Sequence, residues 1–141
     1  MIDTKNIDFV KKHHWVPNTN KSSKDIYVQS HIPDTIKLHR YLLNCPKGLY
    51  VDHINHNTLD NRESNLRICS NKQNCENRKG AYTTNTTSSI RNICWDKNRG
   101  KWLVSITHKG KHIHGGRFDN LEEAMLGATE LRDQYFTHHK N

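Results

Sequence analysis

The sequence predicts an α+β fold built as two small units, and three observations carry that expectation. In the first half, apolar alternation marks strand, polar loop and strand, and a helix start follows. In the second half, three strand-like runs separated by turn residues precede one long amphipathic helix. Between them lies a polar stretch, Asn77-Arg78-Lys79-Gly80-Ala81-Tyr82 and then Thr83-Thr84-Asn85-Thr86-Thr87-Ser88-Ser89, with the composition of a linker. The expected boundaries are residues 1–79, a linker over 80–89, and residues 90–137. A chain of 141 residues has room for one ordinary domain or two very small ones.

Ile26 to Ile32 alternates and reads as a strand. Thr35 to Leu43 reads as a short amphipathic helix, ended by Pro46 and Gly48. Leu49 to Ile54 is the next strand, Asn55 to Ser64 a polar loop, and Leu66 to Cys69 a strand again. Ser70-Asn71-Lys72-Gln73 has the form of a capping box, Ser at the N-cap and Gln three residues on, so a helix starts there.

In the second half, Ile90 to Trp95, Lys101 to Thr107 and Lys111 to Phe118 read as strands. Asn98-Arg99-Gly100 and Lys109-Gly110 supply the turns. Trp102, Val104 and Ile106 point one way and Lys101, Leu103, Ser105 and Thr107 the other. Asp119-Asn120-Leu121-Glu122 is expected to cap a helix running to about Phe136, with Ala124, Ala128, Leu131 and Tyr135 on one stripe. Trp102, Val104, Ile106, Ile113 and Phe118 should pack under that helix. The change of parity between His114 and Phe118 requires a bulge, placed at Gly115-Gly116.

Composition narrows the partners. A net charge of +8, from 22 Lys and Arg against 14 acidic residues, favours a polyanion such as double-stranded DNA. No apolar run approaches the roughly 18 residues of a membrane span, and Met1-Ile2-Asp3-Thr4-Lys5 lacks a signal-peptide core. The setting expected is therefore intracellular, cytoplasm or host-cell nucleoid, with Cys45, Cys69, Cys75 and Cys94 as thiols. No heptad or apolar patch argues for a dimer, which leaves a monomer or a weak dimer.

The densest chemistry lies in Val51-Asp52-His53-Ile54-Asn55-His56-Asn57, Asp60 to Arg67, and Gln73-Asn74. Asp52 to Asn65 is 13 residues and Asp52 to Asn74 is 22. Cleaving a phosphodiester requires an activated water, a Lewis acid at the phosphate and stabilisation of the leaving oxygen. Histidine suits deprotonation of the water. A carboxylate and an amide oxygen suit a hard ion such as Mg²⁺ or Mn²⁺. This spacing, over about Leu38 to Arg78, resembles the HNH nuclease family, whose ββα-metal site cuts nucleic acid with one divalent ion. The resemblance implies a metal-dependent DNA endonuclease of the homing type. It gives Asp52 and Asn74 as metal ligands, His53 as general base, and Asn65 as the residue holding the hairpin and orienting His53. Adjacent strand residues point to opposite faces, so Asp52 and His53 share a site only if the hairpin twists or ends there. Arg62, Arg67, Arg78 and Lys79 are the expected phosphate clamps. His39 is given a packing or hydrogen-bonding role.

The second half, from Ser88 to about Phe136, resembles the Apetala-two/ERF-type DNA-binding domain. The residues that carry this are Ile90-Arg91-Asn92-Ile93, Trp95-Asp96-Lys97, Gly100-Lys101-Trp102, Gly115-Gly116-Arg117-Phe118 and Glu122-Glu123-Ala124. That family usually has Gly where Asn92 stands, and its plant members carry Arg near Cys94 and Asp96. The resemblance implies a sheet lying in the major groove. Arg91, Trp95, Lys97, Ser105, Thr107, His112, His114 and Arg117 are the expected contacts. Two other classes stand beside the nuclease. One is a non-catalytic, sequence-specific DNA-binding protein. The other is a zinc-stabilised interaction module using Cys69, Cys75 and nearby histidines.

Overall fold

The computed structural model describes residues 1–18, 25–78, 80–81 and 84–139. The chain divides into two compact units, Met1–Asn77 and a second from Arg78 onward. Its elements run α1 (Ile7–Val10), β1 (Val16–Asn18), β2 (Tyr27–Ser30), β3 (Ile36–Lys37), α2 (Leu38–Leu42), β4 (Tyr50–His53), β5 (Leu66–Cys69) and α3 (Asn71–Glu76). The second unit follows with β6 (Ile93–Asp96), β7 (Lys101–His108), β8 (Lys111–Phe118) and α4 (Leu121–Tyr135).

In the first unit β4 and β5 form an antiparallel hairpin with Asp52 opposite Arg67 and His53 opposite Leu66. A separate three-stranded sheet orders β1, β2 and β3. The expected helix over Thr35 to Leu43 is shorter. Ile36–Lys37 pairs with Gln29 and Ser30 as a strand, and the helix occupies Leu38–Leu42. Arg40 ties that helix to the entry of β4 by donating to the carbonyls of Leu49, Cys45 and Pro46. The capping box at Ser70 forms as expected: the Ser70 hydroxyl accepts from Gln73 N, and the Gln73 side chain accepts from Ser70 N.

The second unit is a three-stranded antiparallel sheet, in the order β6-β7-β8, packed on α4. Ile93, Val104, Ile106, Ala124, Ala128, Leu131 and Phe136 make its core, with Trp102, Ile113, Phe118 and Tyr135 packed against it. The helix stripe and the strand face read from alternation both meet in that core. The N-cap lies one residue later than expected. Asn120, not Asp119, accepts from the backbone N–H of Glu123. Asn85 and Ser88, in the polar stretch, donate to the carbonyls of Ile90 and Ile93. They therefore cap the start of the sheet. Asn92 has φ +69°, the left-handed conformation in which Gly or Asn costs least.

The bulge falls where parity requires it. Val104 pairs with Gly116 and Ser105 with His114, which leaves Gly115 as the extra residue. A Cβ on Gly115 would lie 2.8 Å from both Val104 Cγ1 and Leu131 Cδ2, and both are core side chains. Gly115→Ala is therefore expected to cost about 1–3 kcal/mol by overpacking, measured as a loss in denaturant or thermal unfolding. An unchanged midpoint would show that the bulge can open without cost.

Candidate nuclease site

β4 is buried along Val51, Asp52 and His53, unlike a strand with one wet face. Asp52 and its cross-strand partner Arg67 lie on one face, and the guanidinium donates twice to Asp52 Oδ2, at 2.9 Å from Nε and 2.6 Å from Nη2. Asp52 Oδ1 accepts from Asn77 Nδ2 at 2.9 Å, and the same amide nitrogen reaches the His53 carbonyl at 3.1 Å.

His53 turns toward α2 and β2. Its ring stands edge-on to His39, with centroids 5.0 Å apart, and 6.1 Å from Tyr27. His53 Nε2 lies 3.3 Å from Asn61 Oδ1, while the Asn61 amide nitrogen donates to the Thr58 carbonyl. With the amide so oriented, Asn61 Oδ1 must accept, so Nε2 carries the proton and Nδ1 the lone pair. Burial pushes the pKa of His53 below the usual histidine value, opposed by the Asn61 hydrogen bond. His53 is therefore neutral near pH 7.

The loop carrying Asn61 is held by side chains rather than by a ladder. Asn65 Oδ1 accepts from Asn55 N and Asn65 Nδ2 donates to the Asp60 carbonyl. Asp60, fully buried, takes both arms of Arg62 at 2.8 and 2.6 Å and the Asn55 amide at 3.0 Å. The Arg62 hydrogen bonds hold the Asp60 carboxyl well below the ordinary carboxylate range. The first residues bind the same loop: the Met1 ammonium donates to Leu59 O, Asn61 N to Met1 O, and Glu63 N to Asp3 Oδ2.

The segment 44–75, which spans β4, this loop, β5 and most of α3, matches the HNH endonuclease family. An uncharacterized HNH endonuclease of Acanthamoeba polyphaga mimivirus is 31% identical over 111 residues, 74% of this chain and 55% of that protein. Protein 3.8 of Escherichia phage T7 is 36% identical over 87 residues, 62% of this chain and 69% of that protein. Residues 44–75 thus form an HNH endonuclease family segment, and a homologue of this chain is named an HNH endonuclease. It spans about half the length of the mimivirus relative. No solved structure matches.

In and just after this segment, the expected site residues meet partners that the sequence does not single out. Asn65 shapes the loop, but the ring of His53 is oriented by Asn61. The amide that reaches Asp52 belongs to Asn77, which ends α3; Asn74 sits half-buried one turn earlier, its backbone N–H on Ser70 O. Arg62 and Arg67, expected as phosphate clamps, are spent on Asp60 and Asp52. Lys79 lies outside the described residues. Asn61 and Asn77 carried no signal beyond being two of many asparagines in a polar run.

A divalent ion, as the HNH family implies, would meet oxygen donors here. Asp52 accepts three hydrogen bonds, one fewer than a carboxylate's roughly four lone-pair sites. Beside it, Asn77 Oδ1 is a buried acceptor with no partner. Carboxylate and amide oxygens of this kind suit Mg²⁺ or Mn²⁺, so the residues fit such an ion. Among the described residues there is no cluster of three or more His, Cys, Asp or Glu placed to hold a metal. The four cysteines are free thiols.

On the second unit, Ser105, Thr107, His112, His114 and Arg117 share the sheet face away from α4, by their register against one another. Arg117 Nε donates to Asp96 Oδ2 at 3.0 Å, and Lys97 is exposed just past β6. Trp95 does not join that face. It pairs with Trp102, ring centroids 4.8 Å apart, on the helix side, because it lies two residues from buried Ile93. Arg91 is also turned away, over the Phe136 ring at 5.4 Å and donating to the Arg78 carbonyl. No helix among the described residues is long and apolar enough to cross a membrane.

The buried histidines make stability depend on pH. Desolvation, reinforced by His53, lowers the pKa of His39 to about 3. Between about pH 6.5 and 3 the unfolded chain therefore binds a proton that the folded chain refuses, and stability falls as pH drops. The contribution is fully present above about pH 6.5. Asp60, with its depressed pKa, adds a loss in the same direction only below about pH 4. Melting of the full chain is expected to move down between pH 7.5 and 5, with a weaker slope in His39→Phe. A melting temperature flat over that range would contradict the buried, neutral state of these rings.

Proposed function

We propose that this chain is a divalent-metal-dependent endonuclease that hydrolyses phosphodiester bonds in double-stranded DNA, with target choice by the free face of the β6–β8 sheet. The observation that carries the reading is the His53 ring, buried, neutral and oriented by Asn61 so that Nδ1 is the basic nitrogen, one residue from Asp52 in the segment that matches the HNH endonuclease family. His53 Nδ1 takes the proton of the attacking water, and its Nε2–H remains on Asn61, so the ring charges without moving. Asp52, with the amide oxygen of Asn74 from α3, would hold Mg²⁺ or Mn²⁺, and the ion would supply Lewis-acid polarisation of the phosphate. Arg67 keeps Asp52 in one rotamer. Asn65 keeps the loop that carries Asn61 in shape.

A sheet of three antiparallel strands on one helix is the architecture of the Apetala-two/ERF-type domain, which supports reading Ser105, Thr107, His112, His114 and Arg117 as the DNA-facing set. The net charge of +8 suits the same partner. A single base per chain cuts one strand, so nicking is the elementary event. Incubating the full chain with supercoiled plasmid and Mg²⁺ or Mn²⁺ tests the reading. Open-circle product appearing before linear product is expected. Plasmid left supercoiled with either ion would leave DNA binding without catalysis.

A further inference from the structure

Asp52 and His53 are neighbours in one strand, so their side chains leave β4 on opposite faces. Arg67 holds the first and Asn61 orients the second, and neither of those hydrogen-bonds to both. Asn77 does reach both. Its Nδ2 donates to Asp52 Oδ1 at 2.9 Å and to the His53 carbonyl at 3.1 Å, using both amide hydrogens. The orientation is thereby determined, since a reversed amide would set its oxygen against a carboxylate and a carbonyl. The residue is only 3% exposed, and its Oδ1 is left without a partner. A buried unsatisfied acceptor costs stability, so packing alone gives no reason for an asparagine here. The two donated bonds do.

We infer that Asn77 is a positioning residue for phosphodiester cleavage. Its amide staples the end of α3 to the end of β4, fixing the Asp52 carboxylate relative to the backbone from which the His53 ring is projected. It answers the geometric problem of bringing two adjacent strand residues to one phosphate. The inference rests on the nuclease reading above, and the test separates the two.

In the full chain, Asn77→Ala is expected to bind Mn²⁺ about 10–100-fold more weakly, by calorimetric titration without DNA. Plasmid nicking at saturating Mn²⁺ should show a fall in kcat of similar size with KM for DNA little changed. Asn77→Asp, of the same size, has no donor as a carboxylate and should lose kcat alike; it carries the test if the alanine variant does not fold. A merely structural role would lower the melting temperature and leave Mn²⁺ affinity and kcat in place. Wild-type Mn²⁺ affinity in Asn77→Ala, or wild-type kcat in Asn77→Asp, overturns the inference. Should the wild-type chain bind Mn²⁺ without nicking, the nuclease reading falls while the titration still decides the role of Asn77. Should it neither bind Mn²⁺ nor nick, both are overturned.

Discussion

His53→Ala is expected to lower plasmid cleavage by about 10²–10⁴-fold, the contribution of a positioned general base, while leaving affinity for DNA nearly unchanged. The expectation follows from where the ring sits. It is buried between His39 and Tyr27 and spends its Nε2–H on Asn61, so it presents one basic nitrogen and adds no charge at neutral pH. Losing it removes a proton acceptor and not a phosphate contact. Gel-shift affinity at fixed salt, measured beside the cleavage rate, separates the two. A companion variant, Asn61→Ala, frees the ring to rotate and to change tautomer. It should therefore reduce the rate less than His53→Ala. Cleavage by His53→Ala near the wild-type rate would remove this residue from the chemistry.

The site was legible in the sequence to the extent that it lies on regular elements. Asp52, His53 and Arg67 sit in strands that alternation located, and cross-strand register then places Arg67 against Asp52. Asn61 and Asn77 were not legible, because their roles depend on where a loop folds back and where a short helix stops. Asparagine in a polar run is the ordinary composition of a turn. The same limit governs the arginines. Arg62 and Arg67 read as free cations in one dimension, but buried carboxylates two and fifteen residues away claim them. In the second unit the strands, the bulge and the helix stripe were readable, since alternation breaks at Gly115-Gly116 and the Ala124, Ala128, Leu131 spacing is helical. Trp95, expected among the DNA contacts, is exposed but shares the strand face of Ile93 and not that of Ser105 and Thr107. Counting two residues from Ile93 puts it on the helix side.

Asp52→Asn is expected to abolish activation by Mg²⁺ or Mn²⁺ at ordinary ion concentrations and to reduce cleavage by about 10²-fold or more. Lewis-acid stabilisation is worth several kcal/mol, and each 1.36 kcal/mol is a factor of ten in rate. The substitution keeps the size of the side chain but removes its charge, the main attraction for a hard cation. It also puts an amide hydrogen where a carboxylate now accepts from Arg67 on one oxygen and Asn77 on the other. One of those two donors must then lose its acceptor. Arg67, about a fifth exposed at its side chain, can turn toward solvent more readily than Asn77. The variant should for that reason fold, with a modest loss of stability. EDTA should stop the wild-type reaction, and added Mn²⁺ should restore it. In Asn74→Ala the loss should be smaller than in Asp52→Asn, because an amide oxygen carries no net charge to hold the ion. Wild-type activity in EDTA, or an Asp52→Asn variant with unaltered dependence on Mn²⁺, would place the metal, and with it the scissile phosphate, away from this carboxylate.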